Sequence, residues 1–282
     1  TERVTINLVR SLISRGVDAK LLSLEKTGSP FFHTYDTQLF YVNEKSSHTF
    51  YGKKINSIKR MFFDIKYIIS SVLKVRSILK TNNIDYIVST DTKMALLFLL
   101  STLYLKTKVI AMEHFDYHTP SKIIRLLRKF CYNHVSSVVI LTDEDRHMYT
   151  PINSNVHVIP NIVSFIVDEV ADIYSKRIIS VGRLTDQKGF DLLIKAWEII
   201  EHNTKDWALD IYGEGELYDE LNNQIVKSKL KRIKINPFSD NIKEEYLHSS
   251  LYLMSSRYEG LPTVFIEALS CGVRCVSFSC PT

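Results

Sequence analysis

Two glutamates eight positions apart are the strongest candidates for chemistry in this sequence. Glu259 and Glu267 lie in the stretch S-R-Y-E-G-L-P-T-V-F-I-E-A-L-S-C-G at 256–272. Pro262 is typical of the first position of a helix, and Gly272 is typical of the position past a helix end. The stretch therefore predicts a loop that carries Glu259, followed by a helix that carries Glu267. Each carboxylate could accept hydrogen bonds from two neighbouring hydroxyl groups.

A second stretch places two cations beside a predicted helix start. The sequence V-G-R-L-T-D-Q-K-G at 181–189 follows a predicted strand. Gly182 would allow a tight turn, and Arg183 and Lys188 would flank the turn from strand to helix. Two cations next to a helix N-terminus suit an anion such as a phosphate.

Backbone groups could complete such a site. In Y-G-E-G-E at 212–216, Gly213 and Gly215 would let the main chain approach something flat or bulky,. Thr263 and Val264 would offer backbone N–H groups at the start of the helix after Glu259.

These stretches lie at the ends of predicted strands. The periodicity predicts strands at 19–24, 39–42, 85–89, 108–112, 137–141, 156–159, 177–181, 208–212, 232–235, 251–254 and 274–278. It predicts helices at 4–13, 55–80, 92–104, 121–132, 143–149, 190–202, 217–227, 243–248 and 262–270. Repeated strand–helix units predict an α/β fold of parallel sheets, and the pause near 161–175 divides it into two Rossmann-like domains, 1–165 and 166–282. Ligands of such sheets bind beyond the carboxyl ends of the strands, and a cleft between two facing domains is the natural site.

The composition is that of a globular protein with room for two cores. The chain has 282 residues, of which 45% are hydrophobic and 24% are charged,. Its longest apolar run, 94–104, is shorter than the roughly 18–20 residues of a membrane-spanning helix, so we expect a buried helix there. We expect a cytoplasmic protein, although the chain begins at Thr1 and ends at Thr282 as if cut from a longer one,.

The charge is distributed unevenly along the chain. Residues 1–165 hold 22 Lys and Arg against 13 Asp and Glu, whereas residues 166–282 hold 14 against 18. The basic excess concentrates at 53–80 and 122–129, where Lys and Arg alternate with Ile, Leu, Phe and Val at helical spacing. Two interpretations stay open: an ordinary solvated helix face, or a surface helix that rests on an anionic membrane. The acidic second half argues against nucleic acid as a partner.

Metal binding is not predicted from the cysteines. Cys271, Cys275 and Cys280 cluster near the end of the chain, with Cys131 far from them. A zinc site would need a fourth ligand close to the cluster, and no candidate is apparent. The simpler interpretation is four small apolar side chains in a reducing compartment.

The three strand-end stretches together resemble the retaining glycosyltransferases of family 4. R-V-T-I-N-L-V-R-S-L at 3–12 and V-I-P-N at 158–161 extend the resemblance over essentially the whole chain. Its most specific parts are E-G-L-P-T-V-F-I-E-A-L-S-C-G at 259–272 and the stretch at 181–189. The resemblance implies the GT-B fold, two facing Rossmann domains, and transfer of a sugar from a nucleotide-sugar donor to a surface polysaccharide or glycolipid.

The resemblance also implies roles for single residues. Arg183 and Lys188 would hold the donor pyrophosphate, Glu259 the donor sugar hydroxyls, and Glu267 the ribose hydroxyls. His114, in M-E-H-F at 112–115, would reach the donor sugar. The predicted donor-binding residues are Gly182, Arg183, Lys188, Gly213, Gly215, Glu259, Gly260, Leu261, Thr263, Val264 and Glu267. The cations would take the place of a metal on the phosphates, so we expect no metal and no cofactor; the nucleotide-sugar is a substrate.

The same residues bear on three other functions. A nucleotide-sugar epimerase on this architecture would need further acid and base groups, which the sequence does not reveal. A catalytically silent partner of an active transferase is disfavoured, because Arg183, Lys188, Glu259 and Glu267 are all present. A dinucleotide oxidoreductase is disfavoured because no G-x-G-x-x-G follows a predicted strand. The family's glycine-rich loop before 3–12 and its closing helix lie outside the chain as given.

Overall fold

A computed structural model describes residues 2–26, 39–43, 57–114, 117–118, 120–163, 165 and 167–280. The chain divides into two compact units, 1–160 and 161–282. The boundary expected from the sequence, between 165 and 166, lies five residues further on. The polar stretch after Pro160 therefore belongs to the second unit.

The first unit is built from parallel strands that alternate with helices. Its elements are α1 (Glu2–Ser14), β1 (Leu21–Glu25), β2 (Leu39–Asn43), α2 (Ser57–Thr81), β3 (Tyr86–Ser89), α3 (Thr92–Thr102), β4 (Lys108–Met112), α4 (Lys122–His134), β5 (Ser137–Ile140), α5 (Arg146–Tyr149) and β6 (Val156–Val158). Strands β3 to β6 form one parallel sheet in chain order, and β1 and β2 form a separate parallel pair. All four residues of β5 are buried, as expected for a central strand covered on both faces,.

The second unit contains one five-stranded parallel sheet. Its elements are β7 (Arg177–Val181), α6 (Phe190–Asn203), β8 (Ala208–Tyr212), α7 (Tyr218–Lys227), β9 (Ile233–Asn236), α8 (Ile242–Leu247), β10 (Leu251–Met254), α9 (Thr263–Ser270) and β11 (Arg274–Ser277). The strand order is β11-β10-β7-β8-β9. The chain moves away from β7 in one direction to β8 and later in the other direction to β10. The edge beyond the carboxyl ends of β7 and β10 is thus the switch point at which open α/β sheets bind ligands.

The core of the second unit forms where helices cover this sheet. On α6, Ile194 and Trp197 are fully buried, and Leu209 and Ile211 of β8 are fully buried as well. The apolar run at 94–104 in the first unit forms α3, which ends at Thr102, whereas Tyr104 is exposed. Within the described ranges, no helix is long and apolar enough to cross a membrane.

Candidate functional site

The loops that follow β7 and β10 are bound to each other at the switch point. The backbone N–H of Arg257 donates to the Gln187 carbonyl over 2.8 Å, and the Gln187 side chain donates to the Tyr258 carbonyl over 3.1 Å. The Ser255 hydroxyl donates to the Lys188 carbonyl over 2.9 Å. These bonds fix the two loops against each other, although they lie far apart in the sequence.

A bidentate ion pair strengthens this junction. The two terminal nitrogens of Arg257 contact the two carboxylate oxygens of Asp191, at the start of α6, over 2.9 and 2.8 Å. The same guanidinium donates to the Asp186 carbonyl over 2.7 Å. The hydrogen bond from Arg257 also holds the pKa of Asp191 below its ordinary value. The sequence does not predict this pair, because no local pattern relates residues 191 and 257.

Lys188 and Glu259 form the centre of the junction. Lys188 Nζ lies 2.6 Å from Glu259 Oε1, which also accepts a hydrogen bond from the Ser256 hydroxyl over 2.6 Å. The side chains of Lys188 and Glu259 are 15% and 8% exposed. A buried carboxylate needs such partners. Because a lysine ammonium carries three donor hydrogens, Lys188 retains capacity to bind an anion beside Glu259.

Two glycines set the position of Lys188. A Cβ on Gly182 would lie 3.1–3.2 Å from three carbons of the Lys188 side chain, so the stem of that lysine lies across the glycine. Gly189 has φ +63°, and a Cβ there would stand 2.1 Å from the Ser255 carbonyl oxygen. Larger side chains at these two positions would displace either the lysine stem or the Ser255 loop.

Gly213 and Gly215 approach protein backbone. A Cβ on Gly213 would lie 1.8 Å from the Gly182 carbonyl oxygen, and one on Gly215 would lie 2.5 Å from the Leu184 carbonyl oxygen. The Leu184 N–H donates to the Glu214 carbonyl over 2.8 Å. We expected these glycines to make room for a ligand; in the structure they make room for the neighbouring loop. Their place in the donor-binding set stays a prediction.

Helix α9 begins one residue later than predicted. Pro262 has an extended backbone at the N-cap position, and Thr263 is the first helical residue. The N–H groups of Thr263 and Val264 precede any possible intrahelical acceptor and lie at the positive end of the helix dipole. The Asn161 amide donates to the Leu261 carbonyl over 2.8 Å and so fixes the loop before the helix. At the other end Gly272 has φ +75°, as predicted for the residue past the helix.

The other predicted residues of the second unit differ in exposure. Glu267 lies in the second turn of α9 and is 1% exposed. Burial, followed by the charges of Glu259, Cys275 and Glu267, raises the pKa of the Tyr252 hydroxyl well above its ordinary value, so both glutamates lie near this tyrosine. Arg183, by contrast, has an exposed side chain.

His114 lies in the first unit, two residues past the end of β4. Its ring is largely buried, and burial lowers its pKa from 6.5 to about 4, so the imidazole is neutral at physiological pH,. Within the described part of the chain, Nε2 of His114 has no hydrogen-bond partner. A neutral histidine with an uncommitted ring nitrogen could bind a hydroxyl group.

The basic segment 122–129 is only partly a surface feature. Lys122 and Lys129 are exposed on α4, but Arg128 is 1% exposed and faces the interior. Our assignment of every base in this segment to a surface was therefore wrong for Arg128. Residues 53–56 lie outside the described residues.

The described residues hold no group of three or more His, Cys, Asp or Glu side chains that could bind a metal ion. Three consecutive acidic residues, Asp143, Glu144 and Asp145, lie between β5 and α5, but their side chains do not form such a group. The Asp143 carboxylate pairs instead with Arg146 over 2.6 Å. Cys131 and Cys271 are buried, and burial raises the pKa of each thiol to about 11.

Two family profiles match the chain end to end. The profile described as Glycosyltransferase Family 4 matches residues 1–165, and the one described as Glycosyl transferases group 1 matches residues 168–282. The amylovoran biosynthesis glycosyltransferase AmsD of Erwinia amylovora is 32% identical over 295 residues, which cover 100% of this chain and 78% of AmsD. The chain belongs to glycosyltransferase family 4. It is a nucleotide-sugar-dependent transferase, as the sequence predicted.

A further relative carries a name that describes its acceptor. A Campylobacter jejuni enzyme, GalNAc-α-(1→4)-GalNAc-α-(1→3)-diNAcBac-PP-undecaprenol α-1,4-N-acetyl-D-galactosaminyltransferase, is 28% identical over 227 residues, covering 77% of this chain and 63% of the relative.

Solved structures confirm the predicted α/β fold of the GT-B class. The lipopolysaccharide outer core galactosyltransferase WaaB aligns with TM-score 0.68 at 15% identity, over 100% of this chain and 77% of WaaB. HepE of Anabaena, solved with UDP and glucose, aligns with TM-score 0.72 at 15% identity, over 99% of this chain and 77% of HepE.

Two glycines of the junction, Gly213 and Gly182, should differ in their effect on the free energy of unfolding. We expect Gly213→Ala to lower the free energy of unfolding of the second unit by about 2 kcal/mol or more, because its Cβ would meet a backbone carbonyl. Gly182→Ala should cost less than about 1 kcal/mol, since a lysine stem can move, yet it should displace Lys188. Urea unfolding followed by tryptophan fluorescence measures this in the second unit, which holds both tryptophans, Trp197 and Trp207. Equal losses in the two variants would contradict the assignment.

Proposed function

We propose that this glycosyltransferase is a retaining enzyme that moves a sugar from a nucleoside diphosphate donor to a saccharide or lipid-linked saccharide. The observation that carries the proposal is the Lys188–Glu259 pair at the switch point of the second sheet, just before the N-terminus of α9. A cation, a carboxylate and a helix N-terminus within one loop junction match the phosphates and hydroxyls of such a donor.

The chemistry of the bond explains why cations are needed there. When the bond between the sugar C1 and the β-phosphate oxygen breaks, the electron pair stays on the phosphate. The acceptor hydroxyl oxygen forms the new bond to C1, and its proton goes to the leaving diphosphate. Lys188, Arg183 and the first N–H groups of α9 would stabilise the charge on the leaving diphosphate, most strongly where water is excluded. On this basis we propose that no divalent metal is required.

The two glutamates are assigned to the two sugar rings of the donor. Glu259 is fixed by Lys188 and Ser256, so it is held in one orientation for the hydroxyls of the transferred sugar. Glu267 is a buried residue of α9, and we assign it to the ribose hydroxyls. His114 is assigned to the donor sugar through the family resemblance and its neutral ring, whose Nε2 has no hydrogen-bond partner among the described residues. The retaining outcome rests on the same resemblance.

Relatives support the proposed substrate classes. HepE was solved with UDP and glucose, which supports a nucleotide-sugar donor. AmsD is named for amylovoran biosynthesis, and the Campylobacter enzyme for a PP-undecaprenol-linked acceptor. We therefore propose an acceptor in polysaccharide or glycolipid assembly.

A donor panel tests the proposal directly. The protein would be incubated with UDP-, GDP- and ADP-sugars under two conditions, one with excess EDTA and one with added Mg²⁺. Donor hydrolysis and thermal shift would be measured in each. We expect one nucleotide class to stabilise the protein and to be hydrolysed in EDTA. Proton NMR of the product anomeric centre would report retention. No stabilisation by any nucleotide would favour a silent partner, and activity only with Mg²⁺ would contradict the metal-independent step.

The two cations should contribute unequally. Lys188→Ala should slow transfer by ~10²–10³-fold, as expected for the loss of one preorganised charge-stabilising donor. Arg183→Ala should cost less, because its exposed side chain is screened by water,. The measurement is the transfer rate at saturating donor. Lys195→Ala on α6 is the matched control. A Lys188 variant within about threefold of the parent would remove this leaving-group assignment.

The two glutamates should separate by role. Glu267→Gln should mainly weaken binding of the free nucleoside diphosphate, because a ribose contact exists in the ground state and the transition state alike. Glu259→Gln should mainly lower turnover, because a contact to the reacting sugar can strengthen as the bond breaks. Nucleotide titration and turnover numbers measure the two effects. Normal nucleotide affinity in the Glu267 variant, with lost affinity in the Glu259 variant, would reverse the roles.

We also propose that the first unit associates reversibly with anionic membranes. The outward face of α4 exposes Ile123, Leu126 and Phe130 to 65%, 72% and 60%, with Lys122 and Lys129 beside them. Apolar and basic side chains on one helix face fit an anionic bilayer surface. A protein that elongates a lipid-linked acceptor would have a reason to bind there.

Vesicle co-sedimentation tests this surface. Each Lys or Arg near an anionic bilayer contributes about 1 kcal/mol, so Leu126→Ser combined with Lys129→Glu should weaken binding about tenfold or more. The matched control is Val226→Ser with Lys227→Glu, two exposed residues of α7 in the second unit. Binding should weaken as salt rises. Equal binding to neutral and anionic vesicles, or equal loss in both variants, would return α4 to an ordinary solvated face.

A further inference from the structure

A buried ionic cluster lies directly beside His114, and the proposed reaction does not use it. Glu113 and Arg128 are 5% and 1% exposed, and Tyr132 and Tyr149 are fully buried. Glu113 immediately precedes His114, whereas the other three residues come from α4 and α5. A buried charge pair is costly to desolvate, and an apolar cluster of similar volume is often at least as stable. The cluster therefore calls for an explanation other than stability.

Arg128 contacts Glu113 and Tyr117, which lie on the two sides of His114 in the sequence; we refer to Glu113, His114 and Tyr117 as the His114 segment. Its Nε lies 3.1 Å from Glu113 Oε1, and its Nη2 donates to Glu113 Oε2 over 3.4 Å. Its Nη1 donates to the backbone carbonyl of Tyr117 over 3.0 Å. One guanidinium thus binds the residue before His114 and the main chain three residues after it.

The guanidinium is itself held in place from several directions. Its Nη1 also donates to the Tyr149 hydroxyl over 3.1 Å, and its central carbon lies 5.2 and 5.7 Å from the ring centres of Tyr117 and Tyr149. Tyr132 donates a short hydrogen bond to the Glu113 carboxylate. Both terminal nitrogens of this planar guanidinium donate hydrogen bonds, so its orientation is restricted, and it can transmit that orientation to the segment it binds,.

We propose that Arg128 is a positioning residue that fixes the backbone of the His114 segment through Glu113 and Tyr117. The proposal rests on the proposed role of His114 toward the donor sugar. Arg128 is a buried residue of α4. The position of His114 would therefore depend on this helix as well as on the loop that contains the histidine. Displacement of a contributing group by about 1 Å can cost about 10²-fold in rate.

The decisive experiment is a double-mutant cycle. Lysine at position 128 keeps the charge but lacks the planar fork, so it cannot hold Glu113 and Tyr117 together. Transfer rates and nucleotide affinity would be measured for the parent, Arg128→Lys, His114→Ala and the double variant. We expect Arg128→Lys to lower turnover by about 10–10²-fold with unchanged nucleotide affinity. In the His114→Ala background the same change should have little effect, because it acts through the histidine.

Matched variants guard against a general loss of fold. Arg125→Lys is the same substitution one turn earlier on α4, where the arginine contacts His118, and it should keep the parent's rate. Tyr132→Phe removes only the hydroxyl that donates to Glu113, so it should produce a smaller loss of the same kind. Thermal unfolding would be recorded for every variant.

A readout independent of activity is the titration of the His114 ring by NMR, assigned by its loss in the His114→Ala spectrum. In Arg128→Lys the pKa should rise from about 4 toward 6.5 as the segment gains water,. An unchanged titration, or an equal loss of rate in both backgrounds, would overturn the positioning role of Arg128 while leaving the proposed function intact. A His114→Ala variant as active as the parent would overturn both the role of the histidine and the positioning role of Arg128.

Discussion

The ion pair between Lys188 and Glu259 is the contact on which the arrangement of the second unit's site depends. It joins residues 71 positions apart and lies at the edge of the sheet between β7 and β10. A carboxylate whose side chain is only 8% exposed must be compensated, and Lys188 is the cation that compensates it,. The same contact therefore stabilises the junction of two loops and places a cation and a carboxylate side by side. Removing Lys188 or Glu259 would therefore change both the junction of the loops and the charges that face a ligand.

The glycines of the second unit follow from this contact. Gly182 allows the lysine stem to lie flat, and Gly213 allows the next loop to close against Gly182. Parallel strands place successive loops at one edge of the sheet, so close packing of those loops is required before any ligand is bound. Small residues here are needed for loop packing in the first place. A contact of these glycines with the donor stays a prediction.

Local patterns predicted the elements of this fold well, whereas contacts between distant segments could not be predicted. The strands at 108–112, 177–181, 208–212 and 251–254 agree with the structure to the residue, because short apolar runs are local signals,. The loop positions of Lys188 and Glu259 were also predicted. Their contact with each other was not, and neither was the pair between Arg257 and Asp191, since both depend on how strands are ordered.

Arg128 shows a further limit of sequence reasoning. Among the bases of 122–129 it looks like one more charge on a helix surface, yet it is the most deeply buried of them. Helical spacing gives the angle of each residue around the axis, but it does not say which side faces the core when both sides mix apolar and basic residues. Only Glu113 and the tyrosines, brought from other elements, distinguish the inner base from the outer ones.

Among the described residues, the Arg128–Glu113 and Lys188–Glu259 pairs differ in a way that matches their proposed roles. Arg128 is fully buried, and its donors are directed to Glu113, Tyr117 and Tyr149, as suits a group that fixes backbone. Lys188 is 15% exposed and makes one short contact from a flexible stem, which leaves donors for an anion. Guanidinium geometry favours rigid multipoint binding, whereas an ammonium acts as a point charge that can serve two anions in turn or together. Each strand-end site thus contains a cation whose geometry suits its proposed role.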